Sequence, residues 1–187
     1  MDHGGPQRLR PGVRKYVCEL ELDTNTVHIN LKLSDNNRKV THVEEDQSYP
    51  DHPDRFDSWK QLLCGNGLTG RCYWEVKRRG EVDIAVSYRG IGRRGVDCDC
   101  LLGGNDQSWS LFCSDEDGYS VMHDTSGAHL TPVAVYVDCP AGTLSFYTVS
   151  SDSLIHLHTF NTTFTQPLYP GFSVYPDSLV PLCPLQV

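Results

Sequence analysis

The sequence lacks any apolar run near the roughly 20 residues that a membrane-spanning helix requires, so no such helix is expected. It also lacks an apolar stretch behind Met1. The first twelve residues mix Gly4, Gly5, Pro6, Pro11 and Gly12 with polar side chains, which reads as a tail or linker and not as a secretory leader. Basic residues are few: 16 Lys and Arg stand against 24 Asp and Glu, a net charge of −8. A protein that grips phosphates needs a basic face. Here the cations are scattered, with small clusters only at Arg8 to Lys15 and Arg89 to Arg94. Nucleic acid and membrane are therefore not expected as partners. Helical periodicity is missing too, since no window of about ten residues carries a 3.6-residue apolar stripe.

The signatures of chemistry are equally thin. There is no GxSxG and no HExxH. Gly90-Ile91-Gly92-Arg93-Arg94-Gly95 matches GxGxxG, but a dinucleotide site needs a helix to open behind it. Val96-Asp97-Cys98-Asp99-Cys100 follows instead, so the loop reads as a basic surface loop and no cofactor is expected. Cys98-x-Cys100 has no second cysteine pair to complete a zinc site, and His156-x-His158 reads as one face of an exposed strand; no metal is expected. Asp115, Glu116 and Asp117 form an acidic turn of the solvated kind. Asn161-Thr162-Thr163 is a glycosylation sequon that matters only in a secreted protein. No catalytic residue emerges, and the chain is not expected to be an enzyme.

Eight cysteines are present, at 18, 64, 72, 98, 100, 113, 139 and 183. An even number can frame disulfides. Without a leader, and with 187 residues to build a core, free thiols and a cytoplasmic location are the expectation. Several of these cysteines lie in apolar alternations, where Cys behaves as a small hydrophobe.

What the sequence does have is period two. Cys18, Leu20 and Leu22 alternate with acids; Val27, Ile29, Leu31 and Leu33 alternate with polar residues. Cys72, Trp74 and Val76 share a face, as do Val82, Ile84, Val86 and Tyr88. Further strands are expected at Trp109 to Cys113, Tyr119 to Met122, Val133 to Val137, Thr143 to Tyr147, Ile155 to Phe160 and Gly171 to Tyr175. Asp138 to Gly142 turns one pair into a hairpin. Many short strands without helices predict an all-β, two-layer antiparallel sandwich. Tyr73, Trp74, Trp109, Phe146 and Tyr147 are its expected core aromatics.

Ordered motifs sharpen this. Leu22-Asp23-Thr24-Asn25-Thr26, Leu33-Ser34-Asp35-Asn36 and Pro53-Asp54-Arg55-Phe56 are followed by Thr69-Gly70-Arg71-Cys72-Tyr73-Trp74-Glu75-Val76. Then come Asp83-Ile84-Ala85-Val86, Ser108-Trp109-Ser110-Leu111, Ala141-Gly142-Thr143-Leu144-Ser145-Phe146-Tyr147 and Phe164-Thr165-Gln166-Pro167-Leu168-Tyr169-Pro170. In this order the chain resembles the PRY-SPRY family from Tyr16 to Val187. Val82, Ala134 and Cys139 stand where the family usually has Trp, Gly and Tyr. The dialect is similar to fish versions of the domain, which are appended to tripartite-motif ubiquitin ligases, to NACHT and leucine-rich-repeat receptors, and to a pore-forming toxin.

The resemblance implies a concanavalin-like SPRY jelly roll over residues 13–187, with PRY at about 16–68 and SPRY at about 69–187, behind a tail at 1–12. It also implies a non-catalytic protein-recognition module, monomeric in isolation, that gives target specificity to a larger innate-immunity or ubiquitin-ligase protein. The alternative is a pocket that senses a small anionic metabolite or a glycan. In either case function belongs to loops held by a rigid scaffold. Loops Glu44–Trp59, Tyr88–Gln107 and Ser114–Tyr119, with Tyr169–Phe172, are expected to converge at one end. Their aromatics and charges make Tyr49, Arg55, Phe56, Tyr88, Arg93, Asp115, Tyr119 and Phe172 the candidate partner-binding residues.

Overall fold

The computed structural model describes residues 8–9, 11–115, 118–120, 132–151 and 153–182. Thirteen strands are found among them, and the helical segments are two short 3-10 turns, Pro11–Tyr16 and Cys98–Cys100. The strands are β1 (Arg8–Leu9), β2 (Leu31–Ser34), β3 (Lys39–His42), β4 (Gln61–Leu63), β5 (Arg71–Val76), β6 (Val82–Ser87) and β7 (Ser108–Ser114). Then come β8 (Gly118–Ser120), β9 (Val133–Asp138), β10 (Thr143–Ser150), β11 (Ser153–Asn161), β12 (Tyr169–Val174) and β13 (Leu179–Pro181).

Two five-stranded sheets carry the fold, in the orders β1-β11-β10-β9-β5 and β4-β12-β6-β7-β8; β13-β3-β2 make a third, small sheet. All named strand pairs are antiparallel. Alternation explains the layering. Trp74, Val76, Val135 and Phe146 point inward from the first sheet, and Val82, Ile84, Val86, Leu111 and Phe172 from the second, to form one shared core. Trp74 is buried in it, while Trp109 is half-buried at its margin. Tyr73 and Tyr147 lie on the opposite face of the first sheet, in a small cluster with Ala134 and Leu154.

Four sequence expectations are corrected here. Residues 18–22 are not a strand: Cys18, Leu20 and Leu22 pack on the core, but their backbone is held only by isolated bridges such as Leu22↔Cys64. Likewise β2 begins only at Leu31, since residues 27 and 28 belong to no regular element and 29–30 form a turn. The segment read as a tail contributes β1, which pairs with Leu154 and Ile155 of β11. Among the thiols, Cys64, Cys98, Cys100, Cys113 and Cys139 are free, but Cys18 and Cys72 form a disulfide. The reason is local. The bridge Val17↔Tyr73 and the hydrogen bond from Cys18 N–H to the Tyr73 carbonyl (2.9 Å) set the two Cα atoms 5.6 Å apart.

Candidate recognition groove

The outer face of the second sheet is where the fold leaves room. Its outward side chains include Gln61 and Leu63 from β4, Gly171 and Ser173 from β12, Asp83 and Ala85 from β6, and Ser110 and Phe112 from β7, as the register requires. Half of this face is closed by the 88–107 loop. Ile91 and Leu102 drop onto Leu63 and Ala85, and Phe56 joins them in a second small core. Gly103 permits the approach: it has φ +86°, and a Cβ there would stand 2.0 Å from the Ser110 Oγ.

Polar contacts lock that loop to the 44–59 loop. Arg93 donates to the carbonyls of Asp54 (2.8 Å) and Arg89 (2.7 Å), and its guanidinium lies over the Phe56 ring. Gly95 N–H donates to the Asp57 carboxylate (2.8 Å), and Trp59 Nε1 to the Asp97 carbonyl (3.2 Å). Gln61, fully buried, donates to the Cys100 carbonyl and accepts from Leu102 N–H.

The other half stays open as a groove of about 410 Å³ whose lining includes Trp59, Lys60, Val96, Leu101, Tyr175 and Pro176. Val96 is 73% exposed on its rim. Ser173 lines it too, and Asp83 lies opposite Ser173 on one side and Phe112 on the other. Tyr175 donates its hydroxyl to Asp83 Oδ2 at 2.8 Å, and its ring meets Phe112 edge-on at 5.7 Å. Burial raises the Asp83 carboxyl to about 6, and the hydroxyls of Tyr175 and Ser173 offset this only in part. Burial, then the neighbouring Asp83, pushes the Tyr175 phenol upward. Burial lowers the pKa of His42, which also lines the groove. The result is an apolar slot with one buried carboxylate beneath it. Among the described residues, no group of three or more His, Cys, Asp or Glu side chains could hold a metal ion.

The residues chosen from sequence fall mostly elsewhere. Phe172 is fully buried in the main core, Phe56 in the small one, and Tyr88 is 5% exposed with its hydroxyl accepting from Thr165 N–H. Arg55 is buried and spends its guanidinium on the carbonyls of Thr24, Val27 and Pro50. Tyr49 is half-buried, donates to the Leu31 carbonyl (2.6 Å) and lies under Arg55. These five hold the loops in place; the expectation that Phe172, Phe56, Tyr88 and Arg55 present surface to a partner is corrected by their burial, whereas Tyr49 keeps part of its surface. Arg93 is likewise engaged, tying its loop to Asp54 and Phe56.

Asp115 is exposed, but it pairs with Arg78 (2.7 Å) and accepts from Gly80 N–H (2.7 Å). Tyr119 lies on β8 opposite Cys113, and its side chain is outside the described residues. Loops 44–59 and 88–107 do meet. The turn after Ser114 cannot join them at the same end, because the seven residues of β7 separate it from Gln107, a span of about 20 Å at the usual strand rise. Trp59, Val96, Tyr175 and Asp83 were not chosen from sequence; the usable signal was Asp83, a charge set between Val82 and Ile84.

Comparisons with known proteins agree with this fold. The family model described as SPRY-associated domain, PRY, matches residues 20–68, and that of the SPRY domain matches residues 71–186. The beta subunit of stonustoxin from Synanceia horrida is 40% identical over 166 residues, covering 85% of this chain and 24% of the toxin subunit. Mouse tripartite motif-containing protein 16 is 33% identical over 88% of this chain and 31% of its own length. Among solved structures, the TRIM65 PSpry domain superposes with a TM-score of 0.80 at 25% identity, covering 92% of this chain and 94% of that one. Stonustoxin gives a TM-score of 0.79 at 35% identity, over 90% of this chain and 29% of that one. The chain thus spans about a quarter of the length of the toxin subunit it matches.

Proposed function

We propose, from the premise that the chain belongs to the PRY-SPRY family, that it holds a protein partner in the groove beside Trp59, Val96 and Tyr175. SPRY domains are protein-interaction modules. The observation that carries the reading is the open half of the second sheet's outer face: aromatic and apolar side chains gathered in one concavity, with polar loops around it. That is the composition of an interface centre inside a polar rim. The relatives include tripartite motif-containing proteins, which supports the finer reading of a target-recognition module within a larger ubiquitin-ligase or innate-immunity protein.

The chain's arginines argue against the alternative, an anionic-metabolite or glycan pocket. Arg55 and Arg93 are spent on carbonyls, and Arg89 pairs with Asp23 and Asp54.

The test is site-specific photo-crosslinking. A photoreactive residue replaces Val96 on the groove rim, or Ser150, exposed on the other sheet. Incubated with lysate of the source tissue, the Val96 probe should yield discrete protein adducts that the Ser150 probe does not. Adducts at Ser150 alone would place the binding face on the wrong sheet.

A further inference from the structure

We propose that the groove selects a partner segment bearing a lysine or arginine between apolar side chains, and that Asp83 determines this specificity by receiving the cation. The proposal rests on the docking role of the groove given above.

Asp83 is 6% exposed. Its polar neighbours are hydroxyls, Tyr175 at 2.8 Å and Ser173 across the ladder. Among the described residues no Lys, Arg or His pairs with it. A buried carboxylate without a countercharge costs stability, and proteins normally pair such groups. Two basic residues around this site are committed elsewhere. Arg78 binds Asp115 and the Gly80 carbonyl, and Lys60 Nζ donates to the Ser58 carbonyl at 3.2 Å.

The surroundings favour a cation from outside. Exposed Asp97 and Asp99 lie near the lining residues Val96 and Leu101, and exposed Glu81 stands just before β6, while Asp57, next to Ser58, pairs with Arg94. Against them the lining offers Lys60 and His42, and burial holds His42 toward its neutral form. A long basic side chain can bury its methylene stem along apolar walls and deliver only its head to a carboxylate. The Tyr175 and Phe112 rings and the Trp59 indole add faces that attract a cation. An arginine would also match the two oxygens of Asp83 in a fork.

The experiment pans a random dodecapeptide display library against the whole chain, against Asp83→Asn and against Trp59→Ala, each first checked for cooperative melting. The wild-type chain should enrich peptides with Lys or Arg at one register, flanked by apolar residues. Asp83→Asn should lose that preference. A synthetic lead peptide should bind the wild-type chain at least ~tenfold more tightly than its citrulline or norleucine counterpart, a difference of about 1.4 kcal/mol. This second comparison needs no variant and so stands even if Asp83→Asn does not fold. Peptides that depend on Trp59 but carry no cation would overturn the Asp83 proposal and leave the groove reading intact. Peptides indifferent to Trp59→Ala would overturn both. A cation preference that persists in Asp83→Asn, or a library that yields no peptide, also rejects the proposal.

Discussion

Tyr175 and Asp83 are joined by a 2.8 Å hydrogen bond from phenol to carboxylate. The contact ties the residue just beyond β12 to the middle sheet strand β6, directly under the groove. It also shows where the fold sacrifices stability, because a carboxylate is kept out of water with hydroxyls as its partners.

Asp83→Asn should therefore stabilise the chain at neutral pH. The sign follows from linkage. The folded carboxyl titrates at about 6, above its ordinary 3.8. Its favourable contribution is complete below the unfolded value and is lost as pH rises through the folded one. Urea melts should show the variant more stable by about 2–3 kcal/mol near pH 7.5, with the gap closing near pH 4. A gap that does not change with pH would show that Asp83 is not a strained carboxylate.

His28 should act in the opposite direction. It is buried; its Nδ1 accepts from Asn30 N–H, which fixes the proton on Nε2, and Nε2–H donates to the Asp57 carbonyl at 3.2 Å. Burial, then Lys60, lowers its pKa from the ordinary 6.5. A depressed histidine contributes stability above its unfolded pKa and loses it as pH falls through the folded one. His28→Ala should cost about 1–3 kcal/mol near pH 7.5 and less near pH 5. An equal cost at both would show that this imidazole is not held neutral.

Trp74→Ala should remove about 3–5 kcal/mol, because the indole sits between the sheets at 2% exposure. Thermal melting reads this directly. A variant melting with the parent would mean that the facing sheets close over the gap.

Thiol reactivity should separate the free cysteines. Cys98 is exposed, whereas Cys64 and Cys113 are fully buried. Burial pushes the Cys64 thiol far upward and that of Cys113 to about 12, and the thiolate is the reactive form. Alkylation of the native chain followed by peptide mapping should label Cys98 first, and Cys64 and Cys113 only after unfolding. Early labelling of Cys113 would contradict the packing of β7.

Alternation made the sandwich legible because polar or small residues often fill the second face of a strand even where it is buried, as Asp83, Ala85 and Ser87 do in β6. Cys72–Val76, Val82–Tyr88 and Trp109–Cys113 read correctly for that reason, and the motif order carried the family. Alternation reports burial, however, not pairing. Cys18, Leu20 and Leu22 point at the core without belonging to a ladder. Strand β4 escaped in the opposite way. Gln61, Leu62 and Leu63 are all buried, because the 88–107 loop covers the outer face as well, so no alternation survives. The site was less legible still. Phe56, Tyr88 and Phe172 have the composition of surface anchors, and only the path of the 88–107 loop shows that it folds back over Phe56 while leaving Tyr175 uncovered.

The most direct test of the groove as the recognition surface is an NMR titration of the isotopically labelled chain with a peptide selected by panning. Backbone and indole shift changes should concentrate at Trp59, Lys60, Val96, Leu101, Asp83 and Tyr175, with the β10–β11 hairpin undisturbed. Shifts centred on β10 and β11, with those groove residues silent, would contradict the account.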